Sequence, residues 1–151
     1  MKAPGRERGS SLPETALVMA ILLSLLFGII DFGRAIYTYA FVAQLAREGA
    51  RWAIVRGSQC SLLDHCNAAS SDVQTYVQSL SEGITVPSNT TATASWGGPC
   101  PPGSSSTHAP GCLVSVTVTY PFQFMLPFMP QSGGKLMKIT MQSTSQMVIS
   151  Q

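Results

Sequence analysis

Charge is what this sequence has least of. Only 11% of its 151 residues are Asp, Glu, Lys or Arg, against about 25% in an ordinary soluble domain. From Ala16 to Ile30 there is none at all. Histidine is scarce too: His65 and His108 are the two in the chain, and neither belongs to a short-spaced pair of the zinc-ribbon kind. No glycine motif able to cradle a phosphate is present, since Gly97-Gly98 reads as a turn. A basic patch is missing as well. Lys2, Arg6 and Arg8 against Glu7 carry the whole net charge of +2, and beyond Gly9 six cations face six anions. These gaps argue against nucleic-acid binding, and no cofactor or metal is expected. A hydrolase is no better provided. Ser61, Asp64 and His65 are close in sequence, but they share one short loop, and a triad is recognised by geometry.

What the chain does have is one long apolar run with an acid at its edge. Thr15 to Ile30 spans about 24 Å as a helix, slightly less than a ~30 Å hydrocarbon core. Residues 10–13 and Phe32-Gly33 lengthen it, and Arg34 can snorkel toward water. A secretory signal would end at small residues. This run instead ends in Gly28-Ile29-Ile30-Asp31-Phe32-Gly33-Arg34, so a retained anchor is the better reading. The cationic start keeps the N-terminus inside and sends the rest across. Glu14 stands at the mouth of the run, and an acid there is expensive enough to suggest function. It has a plain alternative role, because helix N-termini favour acids anyway.

The helical pattern continues past the anchor. Phe32, Ile36, Tyr39, Val42, Leu45, Gly49 and Trp52 step by three or four and mark one face. Glu48 can pair with Arg51, and Arg47, Glu48 and Arg51 read as a solvated face. One helix from about residue 13 to residue 56 is expected, with Gly57 as its stop and Pro13 tolerated in the first turn. A second helix begins at Ser71-Asp72-Val73-Gln74, read as a capping box, and stops at Gly83.

Beyond Ile84 the period becomes that of strands. Thr90–Trp96, Leu113–Tyr120 and Lys138–Ile149 are the candidates, the second being the clearest for its alternation and β-branched residues. Prolines should keep Pro121–Pro130 out of regular strand; that apolar stretch fits either the core or an exposed patch. Asn89-Thr90-Thr91 fits a glycosylation acceptor, a pattern that would carry little weight if the cell were bacterial. His108 sits in a Pro/Ser loop and reads as solvated.

Cys60, Cys66, Cys100 and Cys112 all follow the anchor. An even count outside the membrane reads as disulfides, with three pairings open. Short, turn-rich loops favour Cys60–Cys66 and Cys100–Cys112. Zinc held with His65 or His108 is the rival.

Three stretches together resemble a known family. They are Gly9…Glu14-Thr15-Ala16-Leu17-Val18, Phe27-Gly28-Ile29-Ile30-Asp31-Phe32-Gly33-Arg34-Ala35, and Ala46-Arg47-Glu48-Gly49-Ala50-Arg51; Val116-Thr117-Val118-Thr119-Tyr120-Pro121-Phe122 adds a looser likeness. The chain resembles the TadE-like proteins, pseudopilins of the Flp (tight adherence, type IVc) pilus system. The resemblance implies a pilin-like α+β fold: a cytoplasmic leader over 1–9, a transmembrane and amphipathic helix over 10–56, and an extracytoplasmic domain over 57–151. It implies cleavage between Gly9 and Ser10 by a prepilin peptidase, for which the chain is substrate and not enzyme. Glu14 would act in processing and assembly. Partners would be the membrane, that peptidase, other pilin or pseudopilin subunits and the pilus assembly platform. The setting would be a bacterial inner membrane, with the chain crossing once. The alternative is an uncut, membrane-anchored binding protein whose cysteine loops contact a ligand.

Overall fold

A computed structural model describes residues 11–82, 86–125 and 138–150. The chain forms a long helix α1 (Ser11–Ile54) and a short helix α2 (Ser70–Leu80). A 3-10 turn (Pro87–Asn89) and three strands follow: β1 (Thr91–Trp96), β2 (Leu113–Gln123) and β3 (Lys138–Val148). The sheet is antiparallel in the order β1-β2-β3. The fold is therefore α+β, with a long apolar N-terminal helix backing a small sheet.

Alternation decides which face of the sheet is buried. Val114, Val116, Val118 and Phe122 of β2 point inward and are almost fully buried, while Ser115, Thr117 and Thr119 between them face out. On the outer face Thr117 and Thr144 share a hydroxyl hydrogen bond of 2.9 Å across β2 and β3. The inner face packs on Val42, Leu45, Ala46, Ala50 and Ala53 of α1 and on Val73 and Val77 of α2. Small residues let the layers approach closely. At Gly49 an added Cβ would lie 3.0 Å from Val77 Cγ2 and 3.1 Å from Val116 Cγ1. Helix, helix and sheet meet there.

The C-terminal end of the chain closes this core. Ile149 is buried and bonds Cys112 through its N–H at 2.9 Å, while Ser150 donates its N–H to Ile54 O at 3.0 Å. That bond takes up a carbonyl from the last turn of α1, one of the groups a helix end leaves without an internal partner.

Several sequence expectations shift. The α1 stripe is not buried along its whole length: Phe32, Ile36 and Tyr39 are exposed, and burial begins at Val42. The helix also ends at Ile54, short of residue 56. Helix α2 starts one residue before Ser71, and its capping partner is not Gln74. Its N-cap is Ala69, whose N–H donates to the Asp72 carboxylate at 2.9 Å; Ser70 Oγ instead accepts the N–H of Ala94 in β1. Gly83 lies outside the described residues. Strand β2 runs through Pro121 to Gln123, paired with β3. The reason is topological. The β1 pairing stops at Thr91 opposite Thr119, so from Tyr120 onward β2 has a neighbour on one side only, and an edge tolerates proline. The apolar stretch after it splits: Phe122 joins the core and Met125 is 71% exposed. Residues 126–130 lie outside the described ones.

Candidate functional site

Among the described residues, the first turns of α1 from Leu12 to Leu26 stay uncovered. Leu12, Leu17, Ile21, Leu25 and Ile29 are all well exposed, and so are Val18, Leu22 and Leu26 on the other sides. A helix apolar on every face needs an apolar surrounding. Its internal polar groups are already satisfied, as lipid requires: Thr15 Oγ1 donates to Leu12 O at 3.0 Å and Ser24 Oγ to Ala20 O at 2.8 Å. Among the described residues this is one helix long and apolar enough to cross a membrane. It supports anchoring by a single pass. Glu14 stands exposed in its first turn. Gly9 and Ser10 lie outside the described residues.

At the other end of the apolar run the structure brings together residues far apart along the chain. Asp31 is a helix residue at the end of the anchor, yet its side chain is only 4% exposed. One carboxylate oxygen takes a 2.9 Å bond from Arg34 Nη1. The other accepts the backbone N–H of Met125 at 2.9 Å, from a residue 94 positions away. The Arg34 guanidinium lies 5.5 Å from the centroid of Phe122, and Phe122 meets Phe124 edge-on at 5.2 Å. The chain leaving β2 is thus pinned to α1 where the anchor ends. A carboxylate so placed needs partners such as these, because a buried charge left unpaired is costly.

The cysteines sit at the far end of α1, away from Glu14 and Asp31. Cys60 is bonded to Cys66 and Cys100 to Cys112. The first loop is held on α1 by Arg56, whose Nε donates to Asp64 O at 3.0 Å. The same guanidinium lies 4.0 Å over Trp52, which stacks on Tyr76 of α2 at 5.2 Å. Within this loop His65 turns to Asp72, with Nδ1 3.6 Å from Oδ1, so it does not combine with Ser61 and Asp64. The second loop folds over β1. There His108 is not solvated but stacked on Trp96, ring centroids 4.7 Å apart, and Gly111 (φ +87°) takes a left-handed turn hard against Pro101. Among the described residues no three His, Cys, Asp or Glu side chains stand together as a metal site. Glu48 and Arg51 pair at 3.2 Å on the exposed side of α1.

The decisive likeness lies in the same helix. Residues 9–51 match the family model of TadE-like proteins. The match covers the anchor, Glu14, Asp31 and Gly49, and stops before the cysteine loops and the sheet. No curated protein and no solved structure matches the chain.

Proposed function

We propose that this chain is a structural minor pilin or pseudopilin, made as a membrane-anchored precursor and used in assembling an Flp-type adhesive pilus or the related secretion apparatus. A prepilin peptidase would cut between Gly9 and Ser10 on the cytoplasmic face of the inner membrane. Glycine suits the cut because its backbone can lie extended in a tight cleft. Lys2, Arg6 and Arg8 would hold the leader inside.

The observation that carries this reading is the uncovered apolar half of α1 with Glu14 in its first turn, within a TadE-like segment. An ionised acid at bilayer depth costs about 2.5–3.5 kcal/mol or more on insertion scales. The new amino group of Ser10 on a neighbouring subunit would offset that cost in one axial register only. Glu14 would thereby set the stagger between subunits. N-terminal sequencing of the membrane-extracted protein tests the idea. A Ser10 start is expected, and an intact Met1 in cells with an active peptidase refutes processing.

A second reading has an observation of its own. Leu62 is 96% exposed at the tip of the Cys60–Cys66 loop, as a contact residue on an uncut, membrane-anchored binding protein would be. Processing state separates the two.

A further inference from the structure

The base of the folded domain carries apolar side chains that no described part of the chain covers. On α1, Phe32, Ile36 and Tyr39 form one exposed stripe. Beside it β3 begins with Lys138 and Ile139, and an open apolar groove runs between Ile36 and Tyr39 on one wall and Ile139 on the other. On the neighbouring face of α1, Met125 is exposed although its N–H is fixed to Asp31; its side chain borders Phe27 and Ile30 of the anchor. Together these side chains make a collar continuous with the membrane-spanning surface.

We infer that this collar rests in the interfacial layer of the bilayer, so that the domain sits on lipid instead of standing clear of it. The inference depends on the single-pass anchor. Glu14 and Asp31 bracket a stretch of about 25 Å, close to the hydrocarbon thickness of ~30 Å. Counting 1.5 Å per residue from Ile30, Phe32 stands about 3 Å, Ile36 about 9 Å and Tyr39 about 13 Å further along the helix. Headgroups occupy roughly 5–8 Å on each side. Helical side chains lean toward the N-terminus, which here is toward the membrane, so Ile36 and Tyr39 reach down into that layer. A tyrosine suits it, having an apolar ring and a polar tip. Charge agrees. Arg34 is engaged by Asp31, and Lys138, exposed and the one charged residue of β3, is placed for a lipid phosphate.

The test is hydroxyl-radical labelling, read by mass spectrometry, of the full chain in nanodiscs loaded with one copy each. After correction for intrinsic reactivity, Met125 and Tyr39 should label at least tenfold more slowly than Leu62, which is exposed at the other end of the molecule. Lys138→Glu should raise labelling of the collar about threefold in discs containing phosphatidylglycerol and leave it unchanged in pure phosphatidylcholine. Labelling of Met125 and Tyr39 at solvent-exposed rates would overturn the inference. So would protection that appears only with two or more copies per disc, which would assign the collar to a second subunit, and so would an equal effect of Lys138→Glu in both lipids. Carbonate washing of membranes separates the two layers of the argument. Release of the chain refutes the anchor itself, whereas a retained chain with a labelled collar refutes only the lipid footing.

Discussion

Asp31→Ala should loosen the junction between anchor and sheet without unfolding the domain. The carboxylate accepts the Met125 N–H at 2.9 Å, and a hydrogen bond to a charged group contributes about 1.5–3 kcal/mol. Its ion pair with Arg34 adds less, about 0.2–1 kcal/mol, since the Arg34 side chain is 45% exposed. Local opening at Met125 should therefore become easier by roughly 2–3 kcal/mol, which is about thirty- to a hundredfold at 1.4 kcal/mol per decade. Hydrogen exchange of the Met125 amide in nanodiscs reads this directly. Asp31→Asn keeps an acceptor oxygen but loses the charge, and should show a smaller acceleration, about tenfold. Amides of Val116 and Val118 should be unaffected in both variants, because they belong to the core and not to the junction. An unchanged Met125 exchange rate in Asp31→Ala would refute the claim that this carboxylate pins the sheet to the helix.

Other predictions concern the core, the loops and the N-terminus. Gly49→Ala should lower the melting temperature: overpacking between Val77 and Val116 costs about 1–3 kcal/mol, more than the ~1 kcal/mol of helix propensity gained. Gly33→Ala meets nothing within 4 Å and should raise it, so the pair is a signed test by thermal denaturation. Replacing Cys60 and Cys66 together by Ser should cost about 2 kcal/mol, and replacing Cys100 and Cys112 about 3 kcal/mol, following loop length; melts with and without reductant check both. Glu14→Ala should leave membrane insertion intact and abolish incorporation into pili, and normal piliation would sink the proposed pairing. Gly9→Arg should block leader removal, seen as an unshifted intact mass.

Local pattern carried much of the fold. The stepped apolar residues of α1, the alternation of Leu113–Tyr120 and the shift of period after Ile84 each follow from nearest neighbours along the chain, and the helix and strands stand within a few residues of where these put them. What could not be read there depends on contacts far apart in sequence. The burial of Asp31 requires Met125, 94 positions later, and nothing in Ile30-Asp31-Phe32 announces it. Pro121 looked like a strand breaker because its missing partner strand was invisible. Gly49 fitted the helical stripe, but the reason for glycine is the close approach of Val77 and Val116, which only the packed layers supply. His108 was placed in a loop correctly and its stacking on Trp96 was not foreseen, since a ring contact leaves no periodic trace. Where the helix stripe is exposed at Phe32, Ile36 and Tyr39, sequence saw an apolar face and could not say what meets it.

The 44 residues of α1 form one uninterrupted helix, with its single proline in the first turn and none beyond. Sharp kinks arise mostly at prolines, paired small residues or inserted groups, so beyond Pro13 only the gentle bending that hydroxyls bonded four residues back allow, at Ser24 and Thr38, is built in. A pull or twist applied to the membrane end would pass along the helix to Ala53 and, through Ile54 O, to Ser150. Extraction from a membrane would then load the sheet by its seam with the helix, making the Val42–Ala53 contact the part of the molecule that must withstand tension.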